Sequence, residues 1–273
     1  MPDTFTAGAL LYSIVVPAYN EEMNISPTIH SLLHALRQSQ IPFEIIVVND
    51  SSSDLTATTV QKISAESPEI RLVNNCGARG FGRAVRCGIA NAKGDVLALV
   101  MADLSDDPAD VVRCYQKIEE GYDCVFGSRF IRGSRVTNYP PTKLYINRLV
   151  NRMLQLMFAT RHNDLTNAFK VYRRHVIDSI TPLHAAHFNI TIELSLSALI
   201  RGYQIAQIPI NWSGRTWGQS NLRLGQMGRR YLATLIKLWF ERILIRDDLI
   251  AEMAAQSEAS AEKAGQFGAG ERT

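Results

Sequence analysis

Two apolar segments of the sequence each end in an aspartate. Residues 43–49 lead to Asp50, and residues 96–102 lead to Asp103. A near-continuous apolar run suits a parallel strand covered on both faces, and the carboxyl ends of such strands border the ligand crevice of an open α/β sheet. A carboxylate there can accept hydrogen bonds from a nucleoside or hold a divalent cation against a diphosphate. Either aspartate alone could simply cap the next helix, but the two in this order favour a nucleotide or nucleotide-sugar enzyme.

Basic side chains are concentrated in two segments of the C-terminal half that contain no acidic residue. Residues 129–152 carry Arg129, Arg132, Arg135, Lys143, Arg148 and Arg152, and residues 213–230 carry Arg215, Arg223, Arg229 and Arg230. Such segments indicate an anionic ligand or an anionic membrane surface, although a solvated basic face would have the same composition. The net charge of the whole chain is only +3, so we expect no nucleic acid partner.

The composition is that of a globular protein long enough for one large domain or a domain with appendages. Of the 273 residues, 46% are hydrophobic and 20% are charged. The four cysteines show neither CxxC nor metal-finger spacing, which favours reduced packing residues in a cytosolic protein. We predict no secretory signal and no membrane-spanning helix, because the best candidate segment, 231–245, is interrupted by Lys237, Glu241 and Arg242.

Alternating strands and helices are predicted over the first 127 residues. We expect strands at 11–16, 43–48, 70–73, 96–101 and 123–127, and helices at 27–39, at 55–66, from a start within 77–82 to about 91, and at 108–120. Prolines at positions 27 and 108 suit a first helical turn. Strands that alternate with helices form right-handed βαβ units, so we predict an α/β fold with a Rossmann-like, mostly parallel sheet flanked by helices.

The alternation stops after residue 129. We predict an amphipathic helix at 143–159, a strand at 168–172, helices at 174–180 and 190–201, a strand at 204–210, a loop at 211–221 and a last helix at 226–245. Both amphipathic helices, 143–159 and 226–245, could lie in a membrane interface, or they could pack on the sheet or on a second subunit. Residues 1–9 and 251–273 are predicted to be tails, the second of them disordered because it is rich in Ala, Glu, Gly and Ser.

Seven motifs, in order, carry a resemblance to a known family. They are residues 16–22 (Val-Pro-Ala-Tyr-Asn-Glu-Glu), Asp50-Ser51 after its strand, residues 77–82, residues 102–105 with Pro108, Gly127-Ser128-Arg129-Phe130, residues 164–170, and Pro209 followed by residues 215–220. Together they resemble a family 2 GT-A glycosyltransferase of the dolichyl-phosphate (polyprenyl-phosphate) mannosyltransferase branch. The resemblance implies a GT-A domain over 10–246, with a nucleotide-sugar-binding half at 10–130 and an acceptor half with possible membrane-interface helices at 131–246.

The resemblance also implies an activity and a set of site residues. The activity is inverting transfer of a sugar, mannose or glucose, from a nucleotide sugar to a polyprenyl phosphate, by a protein peripheral to the cytoplasmic face of a membrane. Donor binding is implied for Pro17, Tyr19, Glu21, Asp50, Gly80 and Asp103; acceptor binding for Arg129, Arg215, Ser220 and Arg223; catalysis for Asp103, Arg129 and Arg215; and binding of Mg²⁺ or Mn²⁺ for Asp103 and Ser105.

Three positions depart from the family pattern. Met101 stands where the family has an acid two residues before Asp103, and methionine is a very poor ligand for a hard cation. At the other strand end, one acid of the usual pair is Asn49, and the expected glycine is Ser51. The departure at Met101 puts the affinity for metal in question.

Alternative interpretations stay open at this point. The acceptor could be a non-lipid glycan, or the protein could bind a nucleotide sugar without catalysis, which Met101 would explain. Glu193 could be a catalytic base, as in some enzymes of the family, or a partner in a structural ion pair.

Overall fold

The fold is described from a computed structural model that covers residues 8–215, 224–252 and 254–255, without the side chains of 224–227. In the first half, strands and helices alternate: β1 (Tyr12–Ala18), α1 (Ile25–Gln38), β2 (Phe43–Asn49), α2 (Thr56–Glu66), β3 (Ile70–Asn74), α3 (Phe81–Asn91), β4 (Val96–Leu99), α4 (Pro108–Glu119) and β5 (Cys124–Ser128). Each predicted strand and helix of this half is present, with ends displaced by one or two residues in most cases.

The second half is less regular. It contains β6 (Arg135–Thr137), α5 (Pro141–Phe158), β7 (Lys170–Arg173), α6 (Arg174–Ile180), α7 (Ile190–Ile200), β8 (Ile205–Pro209), β9 (Asn211–Ser213) and α8 (Leu224–Leu244). The short strands β6 and β9 pair in a separate parallel sheet. The prediction that 211–221 is entirely loop is therefore wrong for β9. Of the predicted C-terminal tail, 251, 252, 254 and 255 are helical and the rest lies outside the described residues.

A seven-stranded sheet in the order β3-β2-β1-β4-β7-β5-β8 forms the centre of the molecule. The pairs β3–β2, β2–β1, β1–β4 and β5–β8 are parallel, whereas β7 runs antiparallel to both β4 and β5. This confirms the predicted α/β fold with a mostly parallel sheet. Strand order reverses between β1 and β4, and the crevice at the carboxyl ends of the strands flanking such a point is where open α/β sheets bind ligands.

Two apolar layers cover the faces of the sheet. Alternate residues of β1 show the division, since Ile14 packs in the layer with α1 and α4 whereas Val15 packs in the layer with α3 and α7. Strands buried on both faces read as continuous apolar runs, which is why the runs before Asp50 and Asp103 predicted them. Pro17 lies in β1, but β4 pairs with β1 only as far as Val15, so the missing N–H of the proline costs no ladder hydrogen bond on that side.

The outer faces of α5 and α8 are exposed and apolar. On α5 the exposed residues Tyr145, Leu149, Met153 and Leu156 follow helical spacing, and on α8 Leu232, Ile236, Trp239, Phe240 and Ile243 do the same. We call these sets the α5 stripe and the α8 stripe. Leu235 and Leu238, on the opposite side of α8, are buried. Over the described residues, no helix combines the length and the apolar character that crossing a bilayer requires.

Candidate functional site

Asp50 is held rigidly at the carboxyl end of β2. Its backbone N–H donates to the Ala18 carbonyl at the end of β1, at 2.9 Å. Its buried carboxylate accepts from Asn75 Nδ2 at 2.7 Å and from the Gly80 backbone N–H at 2.9 Å. Both oxygens keep a lone pair for a ligand, so this carboxylate is fixed in place before a ligand arrives. Its predicted contact with the donor base stays a prediction.

The start of α3 needs glycine because another segment packs directly against it. A Cβ on Gly80 would lie 2.3 Å from the Ala186 carbonyl oxygen, and one on Gly82 would lie 2.4 Å from that of Ala185. The rings of Phe81 and Phe188 stack at 4.3 Å between centroids and hold the two segments together. Gly80 therefore allows the close approach that presents its N–H to Asp50.

Tyr19 has a partner that sequence reasoning missed. The guanidinium of Arg79 lies 4.3 Å from the centre of the Tyr19 ring, a cation–π contact. Arg79 directly precedes Gly80, so this pair borders the Asp50 pocket. The sequence signal that could have pointed to Arg79 was its position within residues 77–82, one of the seven motifs.

Glu21 lies in the loop after β1, with its carboxylate largely removed from solvent. Its backbone N–H donates to Thr56 Oγ1 at 2.8 Å, and its Oε2 accepts from Asn24 Nδ2 at 2.7 Å. Burial raises the pKa of this carboxyl group, although Asn24 and Arg215 both favour the ionised form. Its Oε1 lies 3.5 Å from Arg215 Nη2.

Asp103 pairs with Arg215. Asp103 Oδ2 accepts from Arg215 Nη2 at 2.9 Å, and its Oδ1 accepts from the Ser105 backbone N–H at 3.2 Å. Between them Leu104 has a φ of 61°, a left-handed conformation that costs energy for a residue with a side chain and is typical of functional loops. The structure thus brings together three predicted site residues, Glu21, Asp103 and Arg215, although 112 positions separate the last two in sequence.

The donor set at Asp103 does not fit a divalent cation held by protein side chains alone. Mg²⁺ takes six oxygen ligands and is usually bound by one or two carboxylates, with waters and substrate phosphates completing the shell. Within the described part of the chain, no three His, Cys, Asp or Glu side chains cluster suitably. Met101 adds no oxygen from its side chain, and Asp106 uses Oδ2 to accept from the Met101 backbone N–H at 2.9 Å. The assignment of Asp103 and Ser105 as metal ligands stays a prediction.

Arg129 is buried in an ion pair with Asp164. Its Nε and Nη2 each donate to the Asp164 carboxylate at 2.8 Å, and its backbone N–H donates to the same group at 3.0 Å. Burial alone would lower the pKa of the guanidinium, but Asp164 outweighs that effect and raises it. The side chains are 7% and 0% exposed, so an acceptor phosphate could approach only the remaining Nη1 edge. The predicted acceptor role of Arg129 stays a prediction with this restriction.

The segment 164–170 supports that ion pair. Lys170 is buried at the start of β7, and its Nζ donates to the backbone carbonyls of Leu165 and Asn167. Burial lowers the pKa of Lys170 to about 7. Sequence reasoning found this segment as a motif but did not connect Asp164 with Arg129. Two further predicted acceptor ligands, Ser220 and Arg223, lie outside the described residues.

A family model for "Glycosyl transferase family 2" matches residues 13–181, which include every strand-end residue described above from Pro17 to Arg129. The chain belongs to glycosyl transferase family 2. As the resemblance implied, it belongs to a family of glycosyltransferases, and this favours the catalytic interpretation over the non-catalytic one.

Curated relatives agree with the branch of the family that the motifs suggested. The glycosyltransferase is 28% identical over 231 residues to the dolichol-phosphate mannosyltransferase of Pyrococcus furiosus, covering 83% of this chain and 63% of that protein. It is 26% identical over 215 residues to the polyprenol monophosphomannose synthase of Mycolicibacterium smegmatis, covering 77% and 80% of the two chains. The chain thus spans less than two thirds of the first relative.

The solved structures with the same fold belong to an enzyme whose name differs from those of the two curated relatives. A glucosyl-3-phosphoglycerate synthase from Mycobacterium tuberculosis, in complex with Mn²⁺, UDP and phosphoglyceric acid, has a TM-score of 0.63 at 22% identity, covering 85% of this chain and 79% of that one. The same synthase with Mg²⁺ and UDP has a TM-score of 0.62 at 21% identity, with the same coverage. At this identity the likeness shows the GT-A fold.

Glu193 makes contacts that are typical of a structural residue. Its buried carboxylate accepts from the backbone N–H of His184 at 3.0 Å and from that of Ala185 at 2.7 Å, and it lies 3.7 Å from Lys237 Nζ. These contacts anchor the segment that packs against Gly80 and Gly82. Of the two interpretations of Glu193, the geometry favours the structural ion pair.

Proposed function

We propose that this glycosyltransferase moves a hexosyl group, mannose or glucose, from a nucleoside diphosphate sugar to a polyprenyl phosphate, with inversion at the anomeric carbon. The names of the two curated relatives support the lipid acceptor. The crevice at the ends of β1, β2 and β4 supports the donor, because Asp50, Glu21 and Asp103 lie there with Arg215 beside them.

The observation that carries the lipid acceptor is the pair of exposed apolar stripes on α5 and α8. Leu149 and Leu156 are 71% and 70% exposed, and Leu232 is 57% exposed. Monomeric soluble proteins rarely leave such surfaces uncovered unless they bind something. Exposed arginines border both stripes, Arg148 and Arg152 on α5 and Arg229 on α8. Helices of this kind lie in the interface of anionic membranes.

Both stripes belong to helices that contact segments bordering the crevice. The Arg148 guanidinium of α5 lies 5.6 Å from the ring of Phe130, which directly follows Arg129. Thr234 of α8 accepts from Asn189 Nδ2 at 2.9 Å, at the end of the segment that packs against Gly80 and leads into α7. A membrane contacting both stripes would therefore present the phosphate of its lipid close to the crevice.

The proposed reaction is a single displacement. An oxygen of the acceptor phosphate attacks the anomeric carbon, the new carbon–oxygen bond forms, and the bond to the β-phosphate oxygen breaks with its electron pair passing to the nucleoside diphosphate. A phosphate monoester is already anionic at neutral pH, so the attack requires no general base. The structural use of Glu193 is consistent with this. Arginines are the expected ligands of the acceptor phosphate, and Arg215, Arg129 and Arg223 are our candidates, with Ser220.

The same surface leads us to propose a peripheral position on the cytoplasmic face of a membrane, where nucleotide sugars are available. The helices would rest on the lipid while the sheet stays in water. The predicted division into a donor half, 10–130, and an acceptor half, 131–246, is retained as part of this proposal.

A transfer assay tests the function. The protein is incubated with labelled nucleotide sugars and with vesicles that contain polyprenyl phosphate, and label is then measured in an organic extract. Vesicles with the matching polyprenol, which has no phosphate, are the acceptor control.

We expect Asp50→Asn to lower kcat/KM by about ten- to a hundredfold, because a buried hydrogen-bond partner of the donor is lost. Asp178→Asn, on the exposed face of α6, should leave kcat/KM unchanged. Label found only in a water-soluble product would overturn the lipid acceptor.

A further inference from the structure

We propose that the Arg215 guanidinium supplies the positive charge at Asp103 that a divalent cation would otherwise supply, so that the donor diphosphate binds and leaves without a metal held by the protein. The inference rests on the proposed function for the identity of the donor as a nucleoside diphosphate sugar. It does not depend on the acceptor.

The position of Arg215 is the first observation. Its Nη2 lies 2.9 Å from Asp103 Oδ2 and 3.5 Å from Glu21 Oε1, between two carboxylates that belong to different loops. A cation bound at Asp103 would compete with the guanidinium for the same oxygen. Since arginine binds both carboxylates and phosphates through directed N–H groups, a guanidinium at this point can offset the charge of the protein acid and also contact a diphosphate.

Backbone hydrogen bonds join the residues just before Arg215 to the loop that contains Asp103. The Ser213 N–H donates to the Ser105 carbonyl at 3.1 Å, and Trp212 forms an antiparallel bridge with Asp106. On the other side, the Gly214 N–H donates to the Thr137 carbonyl at 2.9 Å. The loop in which a metal site would lie is thus hydrogen-bonded to β9, the strand that ends two residues before the arginine. The pairing reflects a defined local structure and not a chance meeting of two surface side chains.

The change at Met101 is the third observation. With a thioether in place of a carboxylate, the strand end loses an oxygen ligand and a negative charge. The neighbouring acid, Asp106, is buried and accepts from the Met101 backbone N–H, so it holds the loop instead of facing the crevice. Arg215 offsets one of the two negative charges that Asp103 and Glu21 place at this point. A diphosphate approaching Asp103 therefore meets less repulsion than two unpaired acids would give.

Calorimetric binding of nucleoside diphosphates tests this, with ADP, CDP, GDP, UDP and dTDP as probes and no acceptor present. For the nucleotide that binds, we expect Kd in EDTA to lie within about threefold of Kd in MgCl₂ or MnCl₂. In EDTA, Arg215→Ala should weaken binding by at least about tenfold, the usual loss for a charge-assisted hydrogen bond, and Arg215→Lys by less. Arg132→Ala, an exposed arginine on a nearby loop, is the matched control and should bind as the wild type does.

A second measurement uses MnCl₂ alone. The wild-type protein should not bind Mn²⁺, and Met101→Asp, which restores a second carboxylate, should bind it. Mn²⁺ binding by the wild type, or nucleotide affinity that falls more than about tenfold in EDTA, would overturn the proposal. Failure of every nucleotide to bind would overturn it together with the proposed donor. Metal-independent binding combined with a water-soluble transfer product would leave it standing and reject only the lipid acceptor.

Discussion

Ser51 shows what a departure from the family pattern costs at the scale of one residue. It follows Asp50 with a φ of 62°, a conformation in which the Cβ of an ordinary residue crowds the backbone. Glycine, which the resemblance led us to expect there, has no such cost. We predict that Ser51→Gly raises the free energy of unfolding by about 0.5–1 kcal/mol, measured by urea denaturation.

The control for this change is a serine in an ordinary conformation. Ser39 ends α1 with a φ of −84°, so Ser39→Gly gains nothing from relief of strain and loses conformational entropy on folding. A stabilisation of equal size in both variants would contradict the strain argument. If Ser51→Gly is stabilising but lowers nucleotide affinity, the Ser51 side chain also contacts the donor.

At the scale of elements, the close packing of α3 on the segment 185–187 should be sensitive to one methyl group. Gly80→Ala would place a carbon 2.3 Å from the Ala186 carbonyl oxygen, and relieving that clash should cost about 1–3 kcal/mol of unfolding free energy. It should also weaken nucleotide binding, because Asp50 accepts from the Gly80 N–H. Gly77→Ala, whose new carbon would be 3.6 Å from its nearest neighbour, is the matched control. Equal stabilities for the two variants would reject the close approach.

Lys170, at the start of β7, predicts a pH dependence. Burial lowers its pKa to about 7 in the folded protein, whereas an exposed lysine has a pKa of about 10.4. Between these values the unfolded chain binds more protons, so the free energy of unfolding should rise with pH, by at most about 1.4 kcal/mol per unit. Lys170→Met should remove this slope, and Lys117→Met, at a partly exposed position of α4, should keep it. A slope that survives Lys170→Met would assign the dependence to other groups.

The elements also show what the sequence could and could not predict. The apolar runs of β1, β2 and β4 are long and bounded by polar residues, so periodicity found them and placed Asp50 and Asp103 at their ends. The strands β6 and β9 have three residues each and partly exposed side chains, so no periodic signal marks them. Arg215 reaches Asp103 because β9, which ends two residues before it, is hydrogen-bonded to the loop at residues 105–106. Local sequence patterns do not encode such a long-range contact. The burial of Arg129 against Asp164 was missed for the same reason.

At the scale of the whole molecule, the helices that carry the α5 and α8 stripes both contact segments bordering the crevice, and this arrangement predicts how the protein meets a membrane. In liposome flotation, we expect binding to vesicles that contain phosphatidylglycerol, weaker binding as salt is added, and little binding to phosphatidylcholine alone. Arg229→Glu with Arg230→Glu should weaken binding by about tenfold or more, since each basic residue near an anionic surface contributes about 1 kcal/mol. Trp239→Glu should weaken it by removing apolar burial from the α8 stripe. Lys62→Glu, an exposed charge reversal on α2, is the control and should float as the wild type does. A folded protein that stays wholly soluble with anionic vesicles at low salt would contradict the membrane contact and would favour a soluble acceptor.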